Sequence, residues 1–458
     1  MKVGKINSKF VSTDIRLSAG YFLNDDAVNS RIIEKNYANC KELGEMATVW
    51  NPPIFKRQFC ENTERAVPYC QSSDVTNAIE GSEVFINKAQ AYKVGSVVED
   101  KQILVTGFGT IGNTRLVNEL SHGSSFANNV CRIKANENVP IGYVYAFMTS
   151  KYGKSQLNKN ASGSVVRYIE SPGIKKTLIP ILPEETQQKI HNLITDAAQR
   201  RVEANKLLKE AVEIFEKEIE KFVQTDILYK RNNTYSVPIN ILKNHNNRLD
   251  ASYNSLWFDL FYNKLKTANV NLISIKDLSL RVFTPTIFKR VRTNNPDIGV
   301  PFLSGSDLLN AMPKFENFLS KRMANIDNYI LKDGWLAIQD AGTIGYVTYV
   351  HKFLDGVSAT NNLIRIIPNS SQNFNPYIFT FFKSKVGQKI LSNFEFGSVQ
   401  KHIDNHQISS LLIPIFDNIL KNISDLVLSS MEKFGNACDK EKTAIDLIEK
   451  EIDQWQQL

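Results

Sequence analysis

Cysteine and histidine are scarce in this chain. The five cysteines, Cys40, Cys60, Cys70, Cys131 and Cys438, form an odd set without CxxC spacing, which argues against a disulfide framework and against a zinc ribbon. Among the histidines only His402 and His406 stand four apart, the spacing of a zinc helix, and no carboxylate or third ligand accompanies them. No Ser, Cys and His arrangement forms a nucleophile and base pair, so neither catalysis, a metal nor a cofactor is expected. Long apolar runs are missing as well. Nothing approaches the roughly 18 consecutive apolar residues of a membrane span. The opening MKVGKINSKFVSTD carries no apolar leader segment. The expectation is a soluble, cytoplasmic protein with no membrane partner.

What is present is ordinary globular material, 458 residues with 42% apolar and 22% charged, enough for two or three domains. Lys and Arg exceed Asp and Glu by 8, and the pI of about 9.0 favours a polyanionic partner such as nucleic acid.

From Glu184 to about Thr225 there is neither proline nor glycine. Apolar or small residues recur at helical spacing through Ile190, Ile194, Ala197, Ala204, Leu208, Ala211, Phe215, Ile219 and Phe222, and Arg201 interrupts the row. The pattern predicts one amphipathic helix about 60 Å long at 1.5 Å per residue, longer than a domain helix and suited to a spacer.

The chain then repeats itself. PIFKR at 53–57 answers TIFKR at 286–290, and VPYCQSSDV at 67–75 answers VPFLSGSDL at 300–308, an offset of 233. GTIG recurs at 109–112 and 342–345, and Asn128-Asn129 recurs as Asn361-Asn362 at the same offset. GSV at 163–165 and 397–399, and LIPI at 178–181 and 412–415, are displaced by 234, while Arg16-Leu17 faces Arg248-Leu249 at 232. This is a duplicated module. Each copy ends in a long helix, the second running from about Asp417 to Trp455 through Ile419, Ile423, Leu426, Ala437, Ala444, Ile448, Ile452 and Trp455, with a break expected near Phe434-Gly435. The two helices can pack antiparallel and present one module at each end. Within a module, short apolar runs (Gln102–Thr106, Asn129–Ile133, Trp335–Gln339, Asn362–Ile367) read as strands, and Ile141–Leu157 and Pro376–Ser392 read as helical passages.

Three motifs lose their meaning when the second copy is compared. GFGTIG at 107–112 fits a dinucleotide fingerprint, but its counterpart DAGTIG at 340–345 drops the first glycine and runs on into a strand, so a structural turn is the better reading. NPPI at 51–54 resembles the NPP-aromatic motif of amino-methyltransferases, yet Ile54 stands where an aromatic should stack on a flipped base, and the second copy reads Thr284-Pro285-Thr286-Ile287. The module-one positions matching His402 and His406 are Tyr168 and Pro172.

The basic residues survive the same comparison. Lys56-Arg57 matches Lys289-Arg290, joined by Arg65 in the first copy and Arg292 in the second. Arg167 of GSVVRYI matches Lys401 of GSVQKHI. Cations held at matching places in two divergent modules suit phosphate contacts. The candidate DNA-binding residues are Lys56, Arg57, Arg65, Arg115, Ser164, Arg167, Lys289, Arg290, Arg292, Ser398 and Lys401, and the helix-packing set is Ile190, Ile194, Ala197, Ala204, Leu208, Ala211, Phe215, Phe222, Ile423, Leu426, Ile448, Ile452 and Trp455.

The stretch from Gly163-Ser164-Val165 through LIPILPEETQQKI (178–190) into a long helix resembles the end of a target-recognition domain and the start of the helix that follows it in Type I restriction-modification specificity (S) subunits. Arg248-Leu249-Asp250 resembles the entry to such a domain, while the second copy lacks the second proline and the E-x-Q. The resemblance covers essentially the whole chain. It implies an α+β fold of two tandem homologous target-recognition domains, each a curved β-sheet plus helices, separated by two long antiparallel coiled-coil-like helices. The boundaries expected are 1–183 for the first recognition domain, 184–230 for the spacer helix, 231–416 for the second domain and 417–458 for the distal helix. It also implies a non-catalytic subunit that binds double-stranded DNA. Each domain would read half of a split, asymmetric target. The helices would set the spacing and dock two methyltransferase subunits, which a restriction/translocase subunit can join. The competing readings are a self-contained DNA adenine methyltransferase using Asn51-Pro52-Pro53 and an orphan helical adaptor without DNA specificity.

Overall fold

The strand Gln102–Thr106 is buried at every position, as its unbroken apolar centre requires. It pairs antiparallel with Val130–Ala135 on one side and Thr114–Leu116 on the other, and Ala47–Trp50 completes the sheet. In this computed structural model, residues 24–163, 166–224, 253, 256–342, 344–397 and 400–455 are described. Arg16-Leu17, the Arg248–Asp250 entry, Ser164 and Ser398 therefore lie outside the described residues.

The chain divides into two compact units. One runs up to Val202 and takes in the chain from Asn436 onward, and the other is Glu203–Gly435. In the first unit a smaller sheet, ordered Phe59–Cys60, Phe85–Asn87, Ala66–Cys70, Ser125–Phe126, ends in a parallel pairing, and Cys40–Glu42 pairs with Leu178–Pro180. The passage expected as one helix over Ile141–Leu157 is two, Ile141–Thr149 and Lys151–Asn160. Ser150 breaks it with an extended backbone. Its hydroxyl donates to the Phe147 carbonyl at 2.6 Å and accepts the Gly153 N–H at 3.3 Å, an N-cap that starts the second helix.

The helix Glu184–Glu220 is 37 residues long, and Asp417–Gln454 is 38. Inside the first unit Ile190 and Ile194 share one apolar core with Ala444, Ile448 and Ile452, with Trp455 packed against it half-buried. Each fully buried aliphatic of this kind contributes about 1.5–3 kcal/mol. Ala197 is buried too. Arg201, which interrupts the row in the sequence, meets the Glu441 carboxylate at 2.6 Å.

The second unit repeats the first strand for strand. Its main sheet is Ser279–Phe283, Leu363–Pro368, Leu336–Gln339, Val347–Tyr349, and its smaller one is Arg292–Thr293, Phe318–Ser320, Gly299–Leu303, Ser358–Ala359, again closed by a parallel pairing. Asn271–Ser274 pairs with Leu412–Ile415, and Ser384 divides Asn375–Lys383 from Lys385–Phe394 as Ser150 does in the first copy. Ala204, Leu208 and Ala211 are buried. Phe215 enters a cage of Tyr377, Phe381 and Phe416 with ring centroids 5.5, 5.9 and 6.2 Å away, and Phe222 stacks on Phe416 at 5.5 Å. On the partner helix Ile423 is buried, but Val427 occupies the interior position and Leu426 is only half-buried, a shift of one residue from the expected row. The break expected near Phe434-Gly435 is absent: the helix continues, because burial of Phe434, Ala437 and Cys438 outweighs the roughly 1 kcal/mol propensity cost of glycine.

Candidate nucleic-acid interface

The loop after Ala47–Trp50 is fixed before any basic residue is reached. The Asn51 amide donates to the Asn128 carbonyl at 3.1 Å and its oxygen accepts from the Ser171 N–H at 3.0 Å, so it ties three segments together. Pro52 is buried, and Phe55 packs on the cluster of Val67, Tyr69, Ile86, Ala91 and Ala127. Gln90 then clamps the loop from below, donating to the Lys56 carbonyl at 2.8 Å and accepting the Gln58 N–H at 3.0 Å. The consequence is a rigid strap from which Lys56 and Arg57 project into solvent. The Arg57 guanidinium lies over the Tyr69 ring, 5.3 Å from its centroid, which limits its freedom while leaving its donors outward.

The second unit builds the same strap, keeping the buried proline and the phenylalanine but replacing the Gln90 clamp. Pro285 is buried, the Tyr329 hydroxyl donates to the Thr286 carbonyl at 3.1 Å, and the Phe288 ring lies 3.8 Å from that of Tyr329. Lys289, Arg290 and Arg292 are exposed. Arg290 lies over Phe302 at 5.1 Å and donates to the Thr360 hydroxyl at 3.5 Å. Arg57 and Arg290, and Tyr69 and Phe302, are each 233 apart, so the arginine-on-ring pair is part of the repeat. Arg65 is exposed in the turn before Ala66–Cys70, where its carbonyl accepts the Lys88 N–H at 2.8 Å.

A second element comes from two turns. Gly163, at φ +91°, and Gly397, at φ +102°, close loops in which a Cβ would fall 2.2 Å from the Val166 carbonyl oxygen and 2.3 Å from that of Gln400. Only glycine fits there. The strand-like bridges Ser162–Tyr168 and Phe108–Tyr168 join the Gly163 turn to the turn at 107–112, and Phe396–His402 and Ala341–His402 do the same in the second unit. The GTIG stretch is thus a strand–turn–strand corner, with Gly109, Gly112, Gly342 and Gly345 at positive φ. Phe108 and Tyr168 are both exposed and stack at 5.4 Å. Arg167 is exposed and bonded to the Asn158 carbonyl. Lys401 is exposed and paired with Glu395 at 2.7 Å.

Arg115 departs from the expected set. It is buried, pairs with Glu80 at 2.9 Å and donates to the carbonyls of Val75, at 2.7 Å, and Asn77. It fastens the turn around Asp74 and has no face to offer a phosphate.

Sequence reasoning missed another pair. Arg132 and Arg365, 233 apart, are fully buried, and their guanidinium groups donate to main-chain carbonyls: Ala127, Val130, Ser96 and Phe126 in the first unit, Leu363, Tyr329, Ala359 and Thr360 in the second. Burial pulls both down to about 10. The matched spacing behind Asn128-Asn129 and Asn361-Asn362 was the available signal.

Known proteins complete the picture. The family model described as Type I restriction modification DNA specificity domain matches residues 37–213 and 268–417. No curated protein matches the sequence. The chain is similar in structure to the S subunit of a Type I restriction-modification system from M. genitalium, at 12% identity and a TM-score of 0.33 over 91% of this chain and 94% of that one. It is also similar to the HsdS subunit of Thermoanaerobacter tengcongensis, at 12% identity and a TM-score of 0.28 over 90% and 95%. The two matched regions correspond to the two copies and together take in well over half the sequence, so the chain belongs to the Type I restriction-modification DNA specificity family.

Proposed function

We propose that the chain is a non-catalytic subunit in which each module reads one half of a bipartite, asymmetric duplex DNA target. The two long helices set the distance between the halves and dock two methyltransferase subunits, which a restriction/translocase subunit can join. The observation that carries this reading is the doubled strap: two divergent modules hold Lys56-Arg57 and Lys289-Arg290 outward on loops anchored by different side chains. Backbone phosphates are the ligand such paired cations fit, and the sequence differences between the modules supply different base contacts. The reading as a self-contained methyltransferase loses ground at Asn51, whose amide is engaged with Asn128 and Ser171 rather than offered to a base.

Mapping methylated positions in DNA from cells carrying the intact system tests the first part: a split target with unlike halves is expected, and methylation without sequence preference would overturn it. The spacing role has its own test. Inserting seven residues after Leu208, with seven after Leu426 to keep the faces matched, adds about 10 Å of helix and should widen the gap by about three base pairs with both halves unchanged.

A further inference from the structure

Among the described residues the two most exposed large apolar side chains are Ile54, at 88%, and Ile287, at 89%. They are 233 apart, and so occupy the same place in the repeat. A single exposed isoleucine needs no explanation. Two at matched positions are different, because the straps holding them are clamped by different side chains, Gln90 in one unit and Tyr329 in the other. In both straps a buried proline precedes the isoleucine (Pro52, Pro285), the next residue turns an aromatic ring inward (Phe55, Phe288), and Lys-Arg follows at once. The fold thus fixes an apolar side chain at the tip of a rigid loop, flanked by cations. Isoleucine is stiff at χ1, so holding it against a ligand costs little further entropy.

Resting on the reading of the chain as a DNA-specificity subunit, we propose that Ile54 and Ile287 are specificity-determining contacts. Each is pressed into a groove of the duplex against base edges, while the adjacent Lys56-Arg57 or Lys289-Arg290 holds the phosphates on either side. Apolar side chains in that position discriminate bases through the thymine methyl group or the ease of opening a base step, information that phosphate contacts lack. The charge beside each isoleucine selects this occupant over an apolar protein surface, since burying Lys and Arg against one would leave them unpaired.

The test uses the full chain assembled with its methyltransferase subunits, titrated with a duplex carrying the mapped target and with a scrambled duplex over a range of salt. Ile54→Ala and Ile287→Ala are expected to weaken target binding about tenfold to a hundredfold each, with scrambled-duplex binding and the salt slope unchanged. Base changes in one half-site should lose their penalty in one variant and keep it in the other. Lys56→Ala/Arg57→Ala should weaken both duplexes alike and lower the salt slope by about two. The inference is overturned if the isoleucine variants bind the target as tightly as wild type, or if they lose the methyltransferase subunits on size exclusion, which would make the tips a protein contact. If the wild-type complex itself shows no preference for the target, the specificity reading falls first and this inference with it.

Discussion

Glu441, 1% exposed, meets Arg201 at 2.6 Å with one carboxylate oxygen and accepts the Tyr145 hydroxyl at 2.9 Å with the other. Both ions are out of water. Removing one partner strands the other, so Glu441→Ala or Arg201→Ala should destabilise the first unit by about 3–5 kcal/mol, whereas Arg201→Met with Glu441→Leu should cost only about 1–3 kcal/mol, for the Tyr145 hydroxyl left without its acceptor. Urea unfolding of the three variants decides it, and a double variant as unstable as the singles would show that the pair contributes stability beyond its own desolvation.

Arg132 and Arg365 make a second prediction, because each supplies donors to carbonyls that have no water to turn to. Arg132→Met and Arg365→Met should each cost on the order of 3 kcal/mol, and lysine should not restore it, since a point ammonium cannot reach the spread of carbonyls that the fork spans. Hydrogen exchange should quicken in Gln102–Thr106 and Val130–Ala135 for the first variant only, and in Leu336–Gln339 and Leu363–Pro368 for the second only.

The serine–glycine corner is a third. A Cβ on Gly153 would lie 2.2 Å from the Phe147 oxygen, and one on Gly387 2.0 Å from the Phe381 oxygen, main-chain atoms held in buried helices. Gly153→Ala and Gly387→Ala should each cost about 1–3 kcal/mol. An unchanged melting temperature in either variant would mean that the paired helices can part there.

Asp340 titrates in an informative range. Burial pushes its carboxyl up to about 6, against the pull of His402 and Arg365, and Oδ1 has no hydrogen-bond partner among the described residues. The folded protein thus holds this proton to higher pH than the unfolded chain, whose carboxyl titrates near 3.8. Stability from the neutral acid is complete below that value and is lost as pH rises through about 6. Asp340→Asn should flatten the pH dependence between these limits and raise the melting temperature at pH 7 by about 2–4 °C. Curves for wild type and variant that stay parallel across the window would refute the assignment.

Legibility in the sequence followed the physics of each feature. The duplication and the two helices were plain, since the matched anchors recur at a nearly constant offset and the apolar row from Ile190 to Phe222 keeps helical spacing. Ser150 and Ser384 were not read as breaks, because an N-cap serine inside an apolar stretch looks like any helical serine until its hydroxyl is seen to turn on Phe147 or Phe381. Leu426 was chosen over Val427 because adjacent apolar residues leave the register open by one position. Arg115 looked like a candidate contact and proved to be tied to Glu80, a partner 35 residues away that local pattern cannot reveal. Ile54 stood in the sequence as a failed methyltransferase motif, and only its exposure gave it another meaning.

The first unit is closed by residues at the far end of the chain, from Asn436 onward, whereas the second is a single uninterrupted segment. During synthesis the module made first therefore waits. Ile190 and Ile194 leave the ribosome with no Ile448 or Ile452 to cover them, and Tyr145 with no Glu441 to receive its hydroxyl. The second module can finish while the first is still open. The order of translation and the order of completion are thus opposite, and a message cut after the codon for Gly435 would cost the first module its closing helical segment while sparing every residue of the second.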